Sequence, residues 1–231
     1  MLNDTFERHV YQAPIECSYI VDVPETIDDI TLLTVALHGY GSNAEDMLRL
    51  TALSVGRQHI VASLQAPNQH YTTAPGAGAG AGYNWGIRQH WNSAIDLHHR
   101  MVQQVLAKLQ ARFDVGPERT ILVGFSQPVG LNYRLVGTHP GLVRGVIGIC
   151  GGVPRDWEEA GYRQVDASIL HIARNGDEFY PVADVEKFPG RLRTHASDVE
   201  FHLLPGGHRF PSKAGTIIQP WLQRVFGGET G

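Results

Sequence analysis

Ser126 stands in Ile121-Leu122-Val123-Gly124-Phe125-Ser126-Gln127-Pro128, where an apolar run leads into Gly-x-Ser-x and then into a helical segment. A sharp strand-to-helix turn of that kind holds a serine in a strained conformation, lifts its hydroxyl clear of the sheet and aims a helix N-terminus at an incoming carbonyl. The chemistry on offer is acyl transfer by nucleophilic attack. Serine needs a base for it, and the base needs a carboxylate to orient it. On such a scaffold the acid and then the histidine follow the serine along the chain. Asp177, in Arg174-Asn175-Gly176-Asp177-Glu178, and His208, in Gly206-Gly207-His208-Arg209-Phe210-Pro211, both lie just past predicted strands. Open α/β sheets build their sites at those strand ends. Glu178 is the local rival of Asp177, and Asn175-Gly176-Asp177 also reads as a plain turn. An oxyanion needs two N–H donors. Gln127 supplies one, and the turn His38-Gly39-Tyr40-Gly41-Ser42 supplies the other through Tyr40.

Pro128 departs from the pattern, because the fifth place of Gly-x-Ser-x-Gly belongs to glycine. Proline fits the first turn of a helix but disfavours the helical conformation in the residue before it, here Gln127. A locally shifted elbow with a working serine is the expectation, and a binding protein that has lost turnover is the alternative. Among the other histidines, His98 and His99 are adjacent on a helix and point different ways, so a shared metal is not expected. His38 reads as a structural hydrogen-bonder rather than a second base. Trp85, Trp91 and Trp157 are available either to line a pocket or to fill the core.

These residues need a sheet to position them. Strands are expected over 16–23 and 31–37, joined by a polar link, and over 59–64; apolar Val/Ile-rich runs over 120–124, 143–150 and 168–173, with 199–204, read as buried parallel strands. Ser42-Asn43-Ala44-Glu45 has the spacing of a capping box and opens a helix with Met47, Leu48, Leu50 and Leu53. Helices are expected over 93–113, 127–138, 181–195 and 211–226, with Pro189-Gly190 and Pro220 breaking or kinking the last two. The alternation predicts a doubly wound, mostly parallel α/β sheet of about seven strands. Residues 65–92 form one long insertion holding the tract Gly76-Ala77-Gly78-Ala79-Gly80-Ala81-Gly82, which reads as a flexible spacer or a lid. With no repeat and no linker, a single domain over 1–231 is expected.

The four segments Leu37–Asn43, Gly124–Gln127, Asn175–Pro181 and Gly206–Pro211, in this order, resemble the phospholipase/carboxylesterase branch of the α/β hydrolases, which includes acyl-protein thioesterases. The resemblance implies an α/β-hydrolase fold without a large cap domain. It implies Ser126 as nucleophile, Asp177 as acid, His208 as base, and the Tyr40 and Gln127 main-chain N–H groups as oxyanion donors. It further places Trp85 near the substrate entrance and implies a small-molecule ester or thioester substrate and no cofactor or metal.

Composition narrows the remaining classes. The 231 residues are 42% hydrophobic and 18% charged with a net charge of −4 and no Lys/Arg run, which argues against nucleic-acid or anionic-membrane partners. No apolar run reaches the roughly 18 residues of a membrane span, so no membrane insertion is expected. Met1–Arg8 lacks the order of a signal peptide, and a cytoplasmic monomer or homodimer is the expectation. Cys17 and Cys150 form neither a disulfide framework nor a zinc motif. Gly is abundant, at 26 residues, which calls for places where the backbone turns tightly or approaches closely.

Overall fold

The computed structural model describes residues 7, 9–73, 80–159 and 161–227. Along the chain run β1 (Tyr19–Asp22), β2 (Leu32–Leu37), α1 (Ala44–Val55), β3 (His59–Leu64), β4 (Asn68–Tyr71), β5 (Ala81–Asn84), α2 (Trp91–Phe113), β6 (Thr120–Phe125), α3 (Gln127–Thr138), β7 (Gly145–Ile149), β8 (Ser168–Arg174), α4 (Val182–Val185), α5 (Phe188–Leu192), β9 (Val199–Leu204) and α6 (Gly215–Phe226). Seven strands form one sheet in the order β1-β3-β2-β6-β7-β8-β9, with only β1 antiparallel to its neighbour. This is the α/β fold expected from the alternation.

Alternation within strands divides the core into two layers. Leu33, Val35 and Leu37 of β2 join Leu122 of β6 and Val146 of β7 under α2 and α3, where Val102, Leu106, Leu109 and Leu135 close the packing. Leu32 and Ala36 point the other way, with Ile121, Val123 and Ile147, against Met47 of α1 and Ile218 and Trp221 of α6. Both faces of the central strands are therefore covered, which explains their unbroken apolar runs. The parallel register, Leu37 beside Gly124 and Phe125 beside Ile149, brings the carboxyl ends of β2, β6 and β7 to one edge.

Several local expectations are corrected. β1 does not pair with β2; it lies antiparallel on β3, with Tyr19 opposite Leu64. The α1 cap is Asn43 rather than Ser42: its Oδ1 accepts the Asp46 N–H at 2.8 Å, and its Nδ2 donates to the Asp46 carboxylate at 3.0 Å. Pro189 falls in the first turn of the short α5, where a missing N–H removes no bond, so 181–195 becomes two short helices. Pro220 lies inside α6 without ending it, and it sits on the exposed side. The insertion is partly ordered: β4 and β5 pair as an antiparallel ribbon with Asn68 opposite Asn84, and Ala81 and Gly82 of the Gly/Ala tract belong to β5. Gly76 to Ala79 lie outside the described residues. None of the described helices is long and apolar enough to cross a membrane.

Two buried histidines give the fold a pH dependence. His98 of α2 and His171 of β8 are fully enclosed, and burial pushes each imidazole down to about 3, with His99 adding repulsion at His98. Both are neutral in the folded chain and titrate near 6.5 once unfolded, so unfolding takes up protons as the pH falls below that value. Stability should decline from about pH 6.5 downward, by up to about 1.4 kcal/mol per pH unit for each histidine. Urea midpoints measured between about pH 7 and 5 check this, and a flat profile contradicts it.

Candidate active site

Ser126 is where β6 turns into α3. Its backbone takes φ 63° and ψ −113°, a region that costs a side-chain-bearing residue on the order of 1–3 kcal/mol. The surroundings enforce it. The Ser126 N–H is held by the Ile149 carbonyl of β7 at 2.8 Å, and the Ser126 carbonyl accepts from the Val129 N–H at 3.2 Å. Strand and helix touch at Gly124, where a Cβ would stand 2.7 Å from Asn132 Nδ2 and 3.3 Å from the Val129 nitrogen. Pro128 is buried as the second residue of α3, a place where a backbone N–H would have no helical acceptor in any case.

His208 reaches this serine from the loop after β9. Its Nε2 lies 2.8 Å from Ser126 Oγ, and its Nδ1 lies 2.8 Å from Asp177 Oδ2. Asp177 follows β8, and its Oδ1 accepts the N–H groups of Phe179 at 2.9 Å and Tyr180 at 3.1 Å. With 1% of its side chain exposed, against 12% for His208, the carboxylate is screened from water while the imidazole faces out. Those contacts make Nδ1 the protonated nitrogen and leave Nε2 free to accept from the serine hydroxyl. Glu178 is exposed and does not contact the ring; it accepts the His208 main-chain N–H at 3.0 Å, and that bond holds its carboxyl below the usual range. Phe125 and Phe179 pack on the imidazole with centroids 5.4 and 4.8 Å away. Arg174 fixes the loop from below, donating to the Pro205 carbonyl at 2.7 and 3.1 Å and to the Arg209 carbonyl at 3.2 Å. Beside them, burial and the charge of Asp177 push the Cys150 thiol up to about 12, leaving it protonated.

The turn after β2 lies against the serine. A Cβ on Gly39 would stand 3.2 Å from Ser126 Cβ and 3.0 Å from the Phe125 ring. Among the described residues, neither the Tyr40 nor the Gln127 main-chain N–H has a hydrogen-bond acceptor. Three anchors hold the turn. His38 Nδ1 donates to the Gly39 carbonyl at 2.8 Å, while Nε2 accepts the Ala66 N–H at 3.1 Å; burial lowers its pKa and keeps that neutral tautomer. The β5 backbone clasps the turn through Gly41 N–H to Tyr83 O at 2.8 Å and Tyr83 N–H to Ser42 O at 3.1 Å. Trp85 donates its indole N–H to the His38 carbonyl at 2.8 Å. The Gln127 side chain closes the circuit, accepting the Trp85 N–H at 2.9 Å and donating to the Gly86 carbonyl at 2.6 Å.

Trp85 is thus not at an entrance. It is 1% exposed and braces the turn from behind, whereas Trp91 lines the cleft and Trp157 is core, packed on Tyr133 and Tyr162. Ser126 and His208 open into a cleft of about 740 Å³ with apolar walls from Leu131, Val153 and Pro154. Arg134 also borders it, but Asp156 neutralises that guanidinium through contacts of 2.6 and 2.7 Å. Among the described residues no group of three or more His, Cys, Asp or Glu could hold a metal ion.

Residues 20–225 match the family model described as Phospholipase/Carboxylesterase. The chain belongs to this family. It is accordingly a hydrolase of carboxylic esters. Solved structures agree on the fold: esterase PE8 superposes with a TM-score of 0.72 at 22% identity, covering 91% of this chain and 100% of that one. The Bacillus cereus carboxylesterase gives 0.70 at 17% identity over 91% and 95% of the two chains. A phospholipase/carboxylesterase from Dyadobacter fermentans gives 0.67 at 19% identity over 90% and 97%. A search of curated protein sequences finds no match.

Within this phospholipase/carboxylesterase scaffold the ribbon β4–β5 and the Gln127 side chain are the positioning elements that sequence reasoning missed. Their only sequence signal was the oddly placed glycine: a Cβ on Gly82 would come within 2.9 Å of the Gly41 carbonyl oxygen. Gly206 shows the same economy of space. It adopts φ +119°, and a Cβ there would collide with the Arg174 guanidinium. Gly206→Ala should therefore destabilise the chain by about 1–3 kcal/mol from backbone strain alone and loosen the His208 loop. Thermal unfolding monitored by circular dichroism tests this; an unchanged midpoint contradicts the account.

Proposed function

We propose that this chain hydrolyses carboxylic esters through an acyl-enzyme on Ser126, with His208 as general base and then acid and Asp177 as its orienting carboxylate. The observation that supports it most is the unbroken relay of two 2.8 Å contacts from Asp177 through His208 to Ser126. His208 Nε2 takes the hydroxyl proton as Oγ bonds to the substrate carbonyl carbon. The carbonyl oxygen becomes an oxyanion and rests on the unpaired N–H groups of Tyr40 and Gln127; one such donor typically contributes about 2.7–4 kcal/mol to the transition state. Collapse expels the leaving group, which takes the proton from the imidazolium. Water, deprotonated by the same nitrogen, then attacks the acyl carbon and frees Ser126. The buried Asp177 carboxylate stabilises the imidazolium in both halves.

The same steps serve an oxygen or a sulfur leaving group, so thioesters fall within the reading. All groups come from loops at one edge of a single sheet, which favours one domain as the working unit. The competing reading is a binding protein that lost turnover through Pro128. What speaks for turnover is that Pro128 occupies a place where no N–H is needed and that Ser126 keeps the strained backbone a nucleophile elbow requires.

A fluorophosphonate probe should label the parent protein and not Ser126→Ala, as read by intact-protein mass spectrometry. In p-nitrophenyl ester assays Asp177→Asn should lower kcat/KM by about 10³–10⁴-fold, as expected when the histidine tautomer is lost. Glu178→Gln retains an acceptor for the His208 N–H and should stay within about threefold of the parent. The reverse ranking would transfer the acid role to Glu178. Pro128→Gly should leave esterase activity equal or higher; a large loss would show that the elbow depends on the proline.

A further inference from the structure

Beyond Tyr40 and Gln127 the cleft continues into a second lobe of about 630 Å³, bordered by both of those residues, Trp91, Ile87, Arg88 and Arg155. Arg88 comes from the segment between β5 and α2, and Arg155 from the segment between β7 and β8, so two distant parts of the chain bring exposed arginines to the border of one space. Among the described residues neither guanidinium makes an ion pair or a hydrogen bond. The cleft's third arginine behaves differently, since Arg134 is matched by Asp156. Glu158, also close to Arg155 in sequence, is taken by Arg191. Among the described residues no Asp or Glu lines either lobe.

This local balance runs against the whole chain, whose net charge is −4. A protein of that charge repels anions at long range unless a patch near the site reverses the potential. Guanidinium forks suit carboxylate and phosphate oxygens, and they bind them more strongly where apolar walls limit water. Trp91, half-buried, supplies one such wall, while Ile87 and the Tyr40 ring flank the lobe with 59% and 56% of their surface exposed. Gln127 connects the lobe to the reacting centre, because it borders both spaces and directly follows Ser126.

We infer that the substrate carries, besides its ester, an anionic group of carboxylate or phosphate chemistry that Arg88 and Arg155 bind in this second lobe. The inference rests on the ester-hydrolase reading above for its kinetics, but the binding it describes can be measured without turnover. The lobe then acts as a specificity site: a neutral ester fills the apolar cleft alone, whereas an anionic one is also held at its far end.

Titration calorimetry of the full chain with adipate and with inorganic phosphate tests the binding, with the double variant Arg88→Gln/Arg155→Gln as the comparison. Saturable binding of at least one anion, weakened about tenfold or more in the variant, is expected. Which anion binds more tightly distinguishes carboxylate from phosphate. No binding of either anion to the parent, or equal binding to parent and variant, overturns the proposal. In the kinetic arm, mono-p-nitrophenyl adipate is compared with p-nitrophenyl hexanoate, and acetylated hydroxypropyl phosphate with propyl acetate. The parent should favour at least one anionic ester over its neutral partner. That preference should shrink in the double variant and with added salt. An equal ratio in both proteins counts against the proposal. Anion binding that depends on the arginines, with no ester turned over, would support the anion site while overturning the hydrolase reading.

Discussion

The structure depends on one strained residue. Ser126 takes a positive φ because it alone stands between the end of β6 and the start of α3, and each neighbouring element accommodates that turn. Gly124 has no side chain because Asn132 and the Val129 backbone occupy the space. Gly151 is bare for a related reason, since a Cβ there would press on the Val129 side chain and approach the Ser126 carbonyl oxygen. The strain, on the order of 1–3 kcal/mol, is sustained by the buried layers on both faces of the sheet. Its consequence is positional: the hydroxyl projects above the sheet edge, at the height where the loops after β2, β8 and β9 arrive.

Those loops are braced by hydrogen bonds from outside the reacting groups. The Gly39–Tyr40 turn hangs from His38, Trp85 and the β5 ribbon, and the Gln127 side chain ties that ribbon back to the helix that follows the serine. Gln127 therefore has two functions in the proposed mechanism. Its main chain offers an oxyanion donor, and its side chain sets the distance to the segment that offers the other. On the opposite side Arg174 and Glu178 hold the His208 loop by its main chain, so the imidazole can be oriented by Asp177 alone. Preorganisation of this kind matters because donors that are already in place need no reorganisation as charge develops.

Much of this was legible in the sequence for a physical reason. Buried parallel strands require continuous apolar runs, and β6, β7 and β8 carry them; tight turns require glycine, and Gly39, Gly124 and Gly206 mark theirs. Ser126, Asp177 and His208 could be placed at strand ends because strand ends are where periodicity stops. The ribbon was not legible. Asn68–Tyr71 is mostly exposed and Ala81–Asn84 opens in an Ala/Gly tract, so neither shows an alternating pattern, and their pairing is set by contact with the Gly41 turn. Trp85 was misplaced by the resemblance, which matches a position along the chain and does not tell whether the ring there lines a cavity or braces a loop. The α1 cap shifted by one residue because Asn43, too, is a strong cap former and Asp46 offers it a reciprocal bond.

Histidine illustrates how environment, rather than residue type, selects a base. The chain has twelve histidines. His38, His59, His98, His99 and His171 are all pushed toward the neutral form by burial, to about 3 or 4 for the last four, so they pack and hydrogen-bond without exchanging protons near neutral pH. His208 has the opposite surroundings: a buried carboxylate on one ring nitrogen, a hydroxyl on the other, and a face open to the cleft. In the proposed mechanism the proton is exchanged at Nε2, on the side of the ring away from the carboxylate. None of these five histidines combines a carboxylate at one nitrogen with an open cleft at the other. That asymmetry, built by desolvation at five positions and by pairing at one, gives His208 the base role proposed for it.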